Sequence, residues 1–442
     1  MSLVGRIPFT CLRFVRDARD DTHGGVVRQH KEFVGCILVV LVATMGCQKP
    51  LPPTTPILPE GSTSGVVGIV YSYQTAATSV NGFVAYRFDW GDGRLSNWTE
   101  YTTGGRLSQS HIWFSPGTFG VKAQAMDESG GLSDWSPNLD VAIAVGGINS
   151  IGQCETPGCA LGVAIMGSYA YVADYGSGLR VIDVSDPTTP FEAGSFVASG
   201  CAEFVVAFNE STGTQLACVA YGTSGLYLVD VTTPSSPHLE GSCGTPGYAY
   251  GLAVSGGAAF VADGGSGLRV IDISSPVAPV EIGSCATPRR ALAVAAQGGY
   301  AYVADGEGGL CVVDITDLAH PAVVAVCSLP GCAEDIVLEG SRAYVADGGT
   351  GLAIVDVANP AAPTLLGTYA TPGYAFGVDV GNYACVADDT SGLRVFDISN
   401  PANPLEVGYA DTPGQAYGVA IVGNYAYVAD GVSGLRVFSM MP

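Results

Sequence analysis

Basic side chains are scarce in this sequence. Its 442 residues include 18 Lys and Arg against 40 Asp and Glu, and only five His. Six of the 18 fall within the first 46 residues, so the rest of the chain holds 12 and carries a net charge near −24. Such a surface repels phosphate backbones and anionic lipid head groups, which argues against nucleic acid as a partner. Charged residues of both signs make up 13%, about half the usual share of roughly 25%. No apolar run reaches the roughly 20 residues that a membrane-spanning helix needs. Catalytic signatures are missing too. There is no G-x-S-x-G elbow, no phosphate loop and no His-based metal motif. The two His beyond residue 146, His238 and His320, each stand beside a proline. The reading is therefore non-enzymatic, with no cofactor and no metal.

Small and apolar residues are abundant. Gly numbers 61, and hydrophobic residues reach 48%. Short β-branched and alanine-rich runs between glycines suit stacked strands, so the fold class expected is all-β. The N-terminus reads as an address. Phe33–Met45 is a 13-residue apolar run flanked by Arg28 and Lys31, which fits the core of a secretory signal. It ends in Ala43-Thr44-Met45-Gly46-Cys47, which resembles a bacterial lipobox, although Thr44 stands where Leu is usual. The resemblance implies lipidation at Cys47 and a lipid-anchored, exported bacterial protein of the cell envelope or surface, with 1–46 as the signal region. The mixed charges before Val26 suit a start near Val26 or Val27. Residues 47–62 hold a proline cluster and read as an extended tether.

Residues 63–145 alternate with period two between turn signals, the pattern of a small β-sandwich. The segment Asp89-Trp-Gly-Asp-Gly93, followed by His111-Ile-Trp-Phe-Ser-Pro-Gly-Thr-Phe119, resembles a PKD-type, immunoglobulin-like domain. Asp92-Gly93 would form a tight turn, with Trp90, Trp113 and Phe119 in the core. Trp98 and Trp135 could alternatively present a glycan platform.

From residue 146 one phrase recurs seven times. It reads Tyr171-Val-Ala-Asp174, then Gly178-Leu-Arg-Val-Ile-Asp183, and returns around Tyr221, Asp263, Asp305, Asp347, Asp388 and Asp430. A period near 40 in a β-rich chain signals a propeller with one four-stranded blade per repeat. The phrase Leu179-Arg-Val-Ile-Asp-Val184 resembles the LVIVD-repeat family of surface propellers, which implies a seven-bladed β-propeller over 146–442. The last repeat stops after Phe438. The surplus piece Ile148–Pro157 matches Val280–Pro288, so strand 148–152 should close the last blade. Both repeated Asp series read as scaffold. The series at Asp174 would cap its own glycine turn, and the series at Asp183 would tie blade to blade.

Function should sit where the repeats differ. With the first strand of each blade innermost, the varying positions ring one channel mouth. The candidate ligand-binding residues are Glu203, Tyr248, Tyr250, Arg289, Arg290, Glu334, Tyr374, Phe376, Gln415 and Tyr417. Aromatic bodies with polar tips suit a peptide or glycan. The expected function is non-catalytic binding or adhesion at the cell surface, with an unidentified protein or glycan as ligand. A structural envelope protein and a surface glycoside hydrolase using Glu203 and Glu334 are the alternatives. Cys154–Cys159 and Cys327–Cys332 could form local disulfides; Cys159 with Cys201 and a thiolate metal site are rivals.

Overall fold

The structure is a computed structural model and describes residues 51–440, apart from 81, 211 and 212. The signal region and Cys47 lie outside the described residues. Every regular element in the described residues is a strand, and none of its segments forms a helix able to cross a membrane.

Residues 63–145 form two packed sheets. One contains Ser64–Val66, Leu139–Ala144, Gly117–Asp127 and Val84–Asp89, in that spatial order; the other pairs Val70–Thr75 with Leu107–Ile112. Tyr73, Phe88, Trp90 and Trp113 are buried between them. Trp90 stacks on His111 with ring centres 4.8 Å apart, and His111 Nε2 meets Asp92 Oδ2 at 2.8 Å. Gly93 takes a φ of 86°, a left-handed value that glycine adopts at little cost. Trp98 and Trp135 do not offer bare faces. Arg87 lies over both, at 4.8 and 5.3 Å, and Lys122 lies 5.3 Å from Trp135.

The tether reading needs correction. Residues 52–60 do not stand off as a free spacer but lie along the edge of Val70–Thr75. Thr54, Ile57 and Glu60 donate backbone bonds to Thr78, Ala76 and Gln74. Pro53, Pro56 and Pro59 are buried. Spacing of three is the repeat of a polyproline II helix, which puts one proline per turn against the sandwich.

The propeller begins at Gly146. Its first blade contains Gly162–Met166, Tyr169–Ala173, Leu179–Asp183 and Phe191–Phe196, running outward from the channel. Five further blades repeat this order, and the innermost strands pack against one another round the ring. The seventh blade is composite. Asn149–Cys154 pairs antiparallel with Leu435–Ser439, so the N-terminal end supplies the outer strand. Just before it, Gly146–Gly147 pairs parallel with Gly408–Tyr409 of the sixth blade. This join sits beside the sandwich: Val67 and Phe114 of the sandwich face Tyr383, Ser399 and Val407 across a cleft. Those blade-six turns lie at the end of the channel opposite the Asp-Gly turns.

Three devices repeat round the ring. In the first, an alanine flanked by two variable residues is fully buried and forms a two-bond backbone bridge to the preceding blade. Ala291 with Gly264 is one example, at 3.0 and 3.1 Å. Most bridge residues on the other side are glycines of positive φ, but Tyr175 (φ 48°) and Asp389 (φ 51°) take the same strained conformation.

The second device is the buried Asp, and its role differs from the one read in the sequence. Asp174 accepts bonds from the Thr156 hydroxyl (2.6 Å) and Gly158 N–H (2.9 Å), both on the connection arriving from the seventh blade. Asp388 does the same with Thr371 and Gly373. This series therefore ties blades together. The Asp183 series instead caps local turns: Asp183 accepts Ser185 N–H at 2.9 Å, and Asp230 accepts Thr232 N–H at 2.8 Å. Apart from Asp347, which also accepts the Thr350 hydroxyl of its own turn, the two series exchange the roles expected of them.

The third device is a glycine in the outer strand of every blade but the fourth, where Ala325 takes its place. A side chain at Gly152, Gly194 or Gly241 would run into a proline carbonyl of the next blade's outer turn.

Candidate functional site

The alternation around each bridging alanine builds the site. The alanine points into the blade interface, so its two neighbours point toward the channel mouth. A cavity of about 770 Å³ opens there. Seven of the ten candidate residues line it: Glu203, Tyr250, Arg289, Arg290, Glu334, Phe376 and Tyr417. The other three stand behind this wall. The Tyr248 hydroxyl donates to Glu203 Oε1, and the Tyr374 hydroxyl donates to Glu334 Oε1 at 2.6 Å. Gln415 donates to Asp389 Oδ1 at 2.8 Å and accepts from the Tyr417 hydroxyl at 3.2 Å.

Aromatic contacts run along one side. Phe376 lies between Tyr374 and Tyr417, with ring centres 4.7 and 5.0 Å away. Opposite, the Arg290 guanidinium sits 4.5 Å over the Tyr250 ring. Arg289 takes a place that is glycine in most repeats. Its backbone N–H donates to Asp305 Oδ2 at 2.7 Å, as the glycine N–H does elsewhere.

Glu307 and Asp335 also line the cavity and were not singled out in the sequence. Asp335 had a readable signal. It opens an innermost strand where four of the other six blades have glycine, at Gly162, Gly251, Gly377 and Gly418. At Gly251, Gly377 and Gly418 an added Cβ would lie 2.6–2.7 Å from the next blade's backbone. Asp335 instead reaches across and accepts Val378 N–H at 3.0 Å. Asp379 accepts Ile421 N–H at 2.7 Å one blade further on.

Burial raises the Glu203 carboxyl above its ordinary range, opposed by the Tyr248 bond. Burial in the channel lifts Asp335 to about 6, opposed by the Val378 and Ile336 N–H bonds. Folded protein therefore keeps a proton on Asp335 that unfolded chain loses above its ordinary value near 4. That contribution to stability is full below about pH 4 and is lost as pH rises through about 6. Solvent in the channel still reaches the side chain, so we expect a modest effect. Asp335→Asn should raise stability at pH 7.5 by on the order of 1 kcal/mol and flatten this part of the pH profile. Chemical denaturation at pH 4.5, 6 and 7.5 would show it; an unchanged pH profile would refute the assignment.

All ten cysteines among the described residues are free thiols. The pairs Cys154–Cys159 and Cys327–Cys332 are not formed. Within the first loop the Thr156 hydroxyl and Gly158 N–H bond to Asp174; within the second, Gly331 N–H bonds to Asp347. Cys154 Sγ turns to Glu155 O, and Cys327 Sγ to Ser328 O.

Comparison with known proteins agrees with this architecture. The LVIVD repeat matches at 157–198, 215–245, 246–287, 288–328, 330–371, 372–412 and 413–438, over half of the chain. The chain belongs to the LVIVD-repeat family. No curated protein matches it. Among solved structures, U3-55K is similar at 10% identity over 67% of this chain and 100% of that one, with a TM-score of 0.54. The WD40 propeller domain of Doa1 is similar at 11% identity over 67% and 97%, with a TM-score of 0.53. At these identities the likeness shows the propeller fold alone. The PKD domain of an M14-like peptidase from Thermoplasmatales archaeon SCGC AB-540-F20 is 34% identical, covering 22% of this chain and 98% of that one, with a TM-score of 0.20. The LVIVD propeller thus supports a protein-binding or structural role.

Proposed function

We propose that this LVIVD protein is a non-catalytic binding protein of the bacterial cell envelope, lipid-anchored at Cys47. Its sandwich, a PKD-like domain on the strength of the WGDG turn and its His111–Phe119 partner, carries the propeller. The ligand enters the 770 Å³ cavity. The observation that carries this reading is the gathering of seven repeat-breaking residues on one cavity while the repeated residues build the walls. The lining sets four carboxylates, Glu203, Glu307, Glu334 and Asp335, against Arg289 and Arg290. Carboxylates beside aromatic faces favour a group with a positive end, so a peptide loop bearing Lys or Arg fits better than a neutral glycan.

Full-length protein should therefore select basic peptides over glycans on arrays. Phe376→Ala combined with Glu334→Gln should weaken the selected ligand by at least about tenfold, the size expected for central contacts. Binding unchanged by that pair would refute the site. Turnover of a glycan that is lost in a Glu203→Gln, Glu334→Gln double variant would establish the hydrolase reading instead.

A further inference from the structure

Among the described residues, the outer edge of the second blade holds a donor set found in no other blade. Asp230 ends the third strand, and His238 lies directly opposite it on the fourth. One ligand atom each from Asp230, His238 and Glu240 lies within 4.8 Å of the other two. From this cluster we infer a binding site for one borderline divalent cation of the zinc class, clamping the outer hairpin of the second blade.

The repeat is broken at this edge. Asp230 is common scaffold: the equivalent residues Asp183, Asp272, Asp314, Asp356 and Asp397 cap the same turn without a cation-binding partner set. Two substitutions are peculiar to this blade. Opposite the turn Asp, other blades carry Phe191, Val280, Ala322, Thr364 or Leu405, and this one carries His238. Glu240 occupies the bulge of the outer strand. The matching bulge residues are Ala193, Ile282, Val324, Leu366, Val407 and Ile151, all apolar. A bulge re-aims its side chain, and here it brings a carboxylate beside an imidazole and a second carboxylate.

The donors are ready to bind. Asp230 Oδ1 is fixed by Thr232 N–H at 2.8 Å, which orients the carboxylate and leaves Oδ2 for the ion. His238 and Glu240 make no side-chain hydrogen bond or ion pair among the described residues. One imidazole nitrogen with two carboxylates suits zinc, nickel or cobalt and leaves further positions for water; the hard ions calcium and magnesium prefer oxygen alone. The site lies on the outer turn, away from the cavity, so it is independent of the binding proposed there.

The test is a Zn²⁺ titration of full-length protein under reducing conditions, against a chelator indicator and with magnesium in excess. Thiols elsewhere also take zinc, so the variants decide. Wild type should bind one Zn²⁺ that His238→Ala and Glu240→Gln each weaken by at least about tenfold. Both residues are solvent-accessible, and both variants should melt like the parent without metal; only the parent should gain stability with zinc. Wild-type binding no tighter than millimolar, or equal binding in parent and both variants, would overturn the inference.

Discussion

Asp174→Ala should melt roughly 5 °C or more below the parent. The carboxylate is fully buried at the junction of the seventh and first blades. Its removal strands the Thr156 hydroxyl and the Gly158 N–H, and leaves Arg180 Nε, 3.4 Å from Asp174 Oδ2, without its counter-charge. Leaving buried partners unsatisfied costs about 2–4 kcal/mol in total, and each kcal/mol moves the midpoint of a domain this large by roughly 2 °C. Burial holds the Asp174 carboxyl above its ordinary range, with the Thr156 and Gly158 bonds opposing it. The folded state therefore gains from this group as pH falls and loses that gain as pH rises through its shifted value. The variant should accordingly lose more stability below the ordinary carboxyl value near pH 4 than near pH 8. Nature has made one exchange here already: in the second blade Tyr221 replaces the Asp, and its hydroxyl accepts Ala198 N–H at 3.3 Å. Asp174→Ala melting with the parent by calorimetry would refute the tie.

Gly152→Val should be more damaging still. Its Cβ would collide with the Pro187 carbonyl oxygen, a backbone atom of the first blade that has no rotamer to yield. Gly152 sits in the strand that closes the ring, so the clash separates the seventh blade from the first. Overpacking in a tight core commonly costs 1–3 kcal/mol, and a clash with backbone exceeds that range, at about 4 kcal/mol or more. We expect rapid proteolysis between residues 145 and 160 and little native protein at 37 °C. Gly147→Ala is the matched control, because nothing lies within 4 Å of its added Cβ. Equal protease resistance of Gly152→Val and Gly147→Ala would refute the seam argument.

The propeller was legible because its period is a covalent fact of the chain. Seven returns of one phrase fix seven blades, and the failure of the phrase after Phe438 points to Ile148–Pro157 as the missing strand. The channel rim was legible for a related reason: residues flanking a repeated alanine vary, and only solvent or ligand tolerates that variation. Other features were hidden by their range. Asp174 precedes a glycine turn, which suggests a local cap; its partners, Thr156 and Gly158, lie 18 and 16 residues away in sequence and become neighbours only when the blades assemble. Asp183 is the converse case: its partner, Ser185 N–H, is only two residues on. The proline cluster looked like a spacer, since composition cannot show that Pro53, Pro56 and Pro59 share one face with a sheet edge beside it. Glu307 escaped notice because it belongs to a turn rather than to the alternating rim.

The composite seventh blade also decides how the molecule carries load. The sandwich feeds into Gly146–Gly147 and then Asn149–Cys154, at the end of the channel away from the cavity. Tension drawn through the sandwich runs along the closing strand, so its ladder to Leu435–Ser439 is loaded in shear and its bonds must fail together. A strand peeled from its end would lose them one at a time. The seam where the propeller's first and last strands pair is thus pulled in the direction in which a β-ladder resists best.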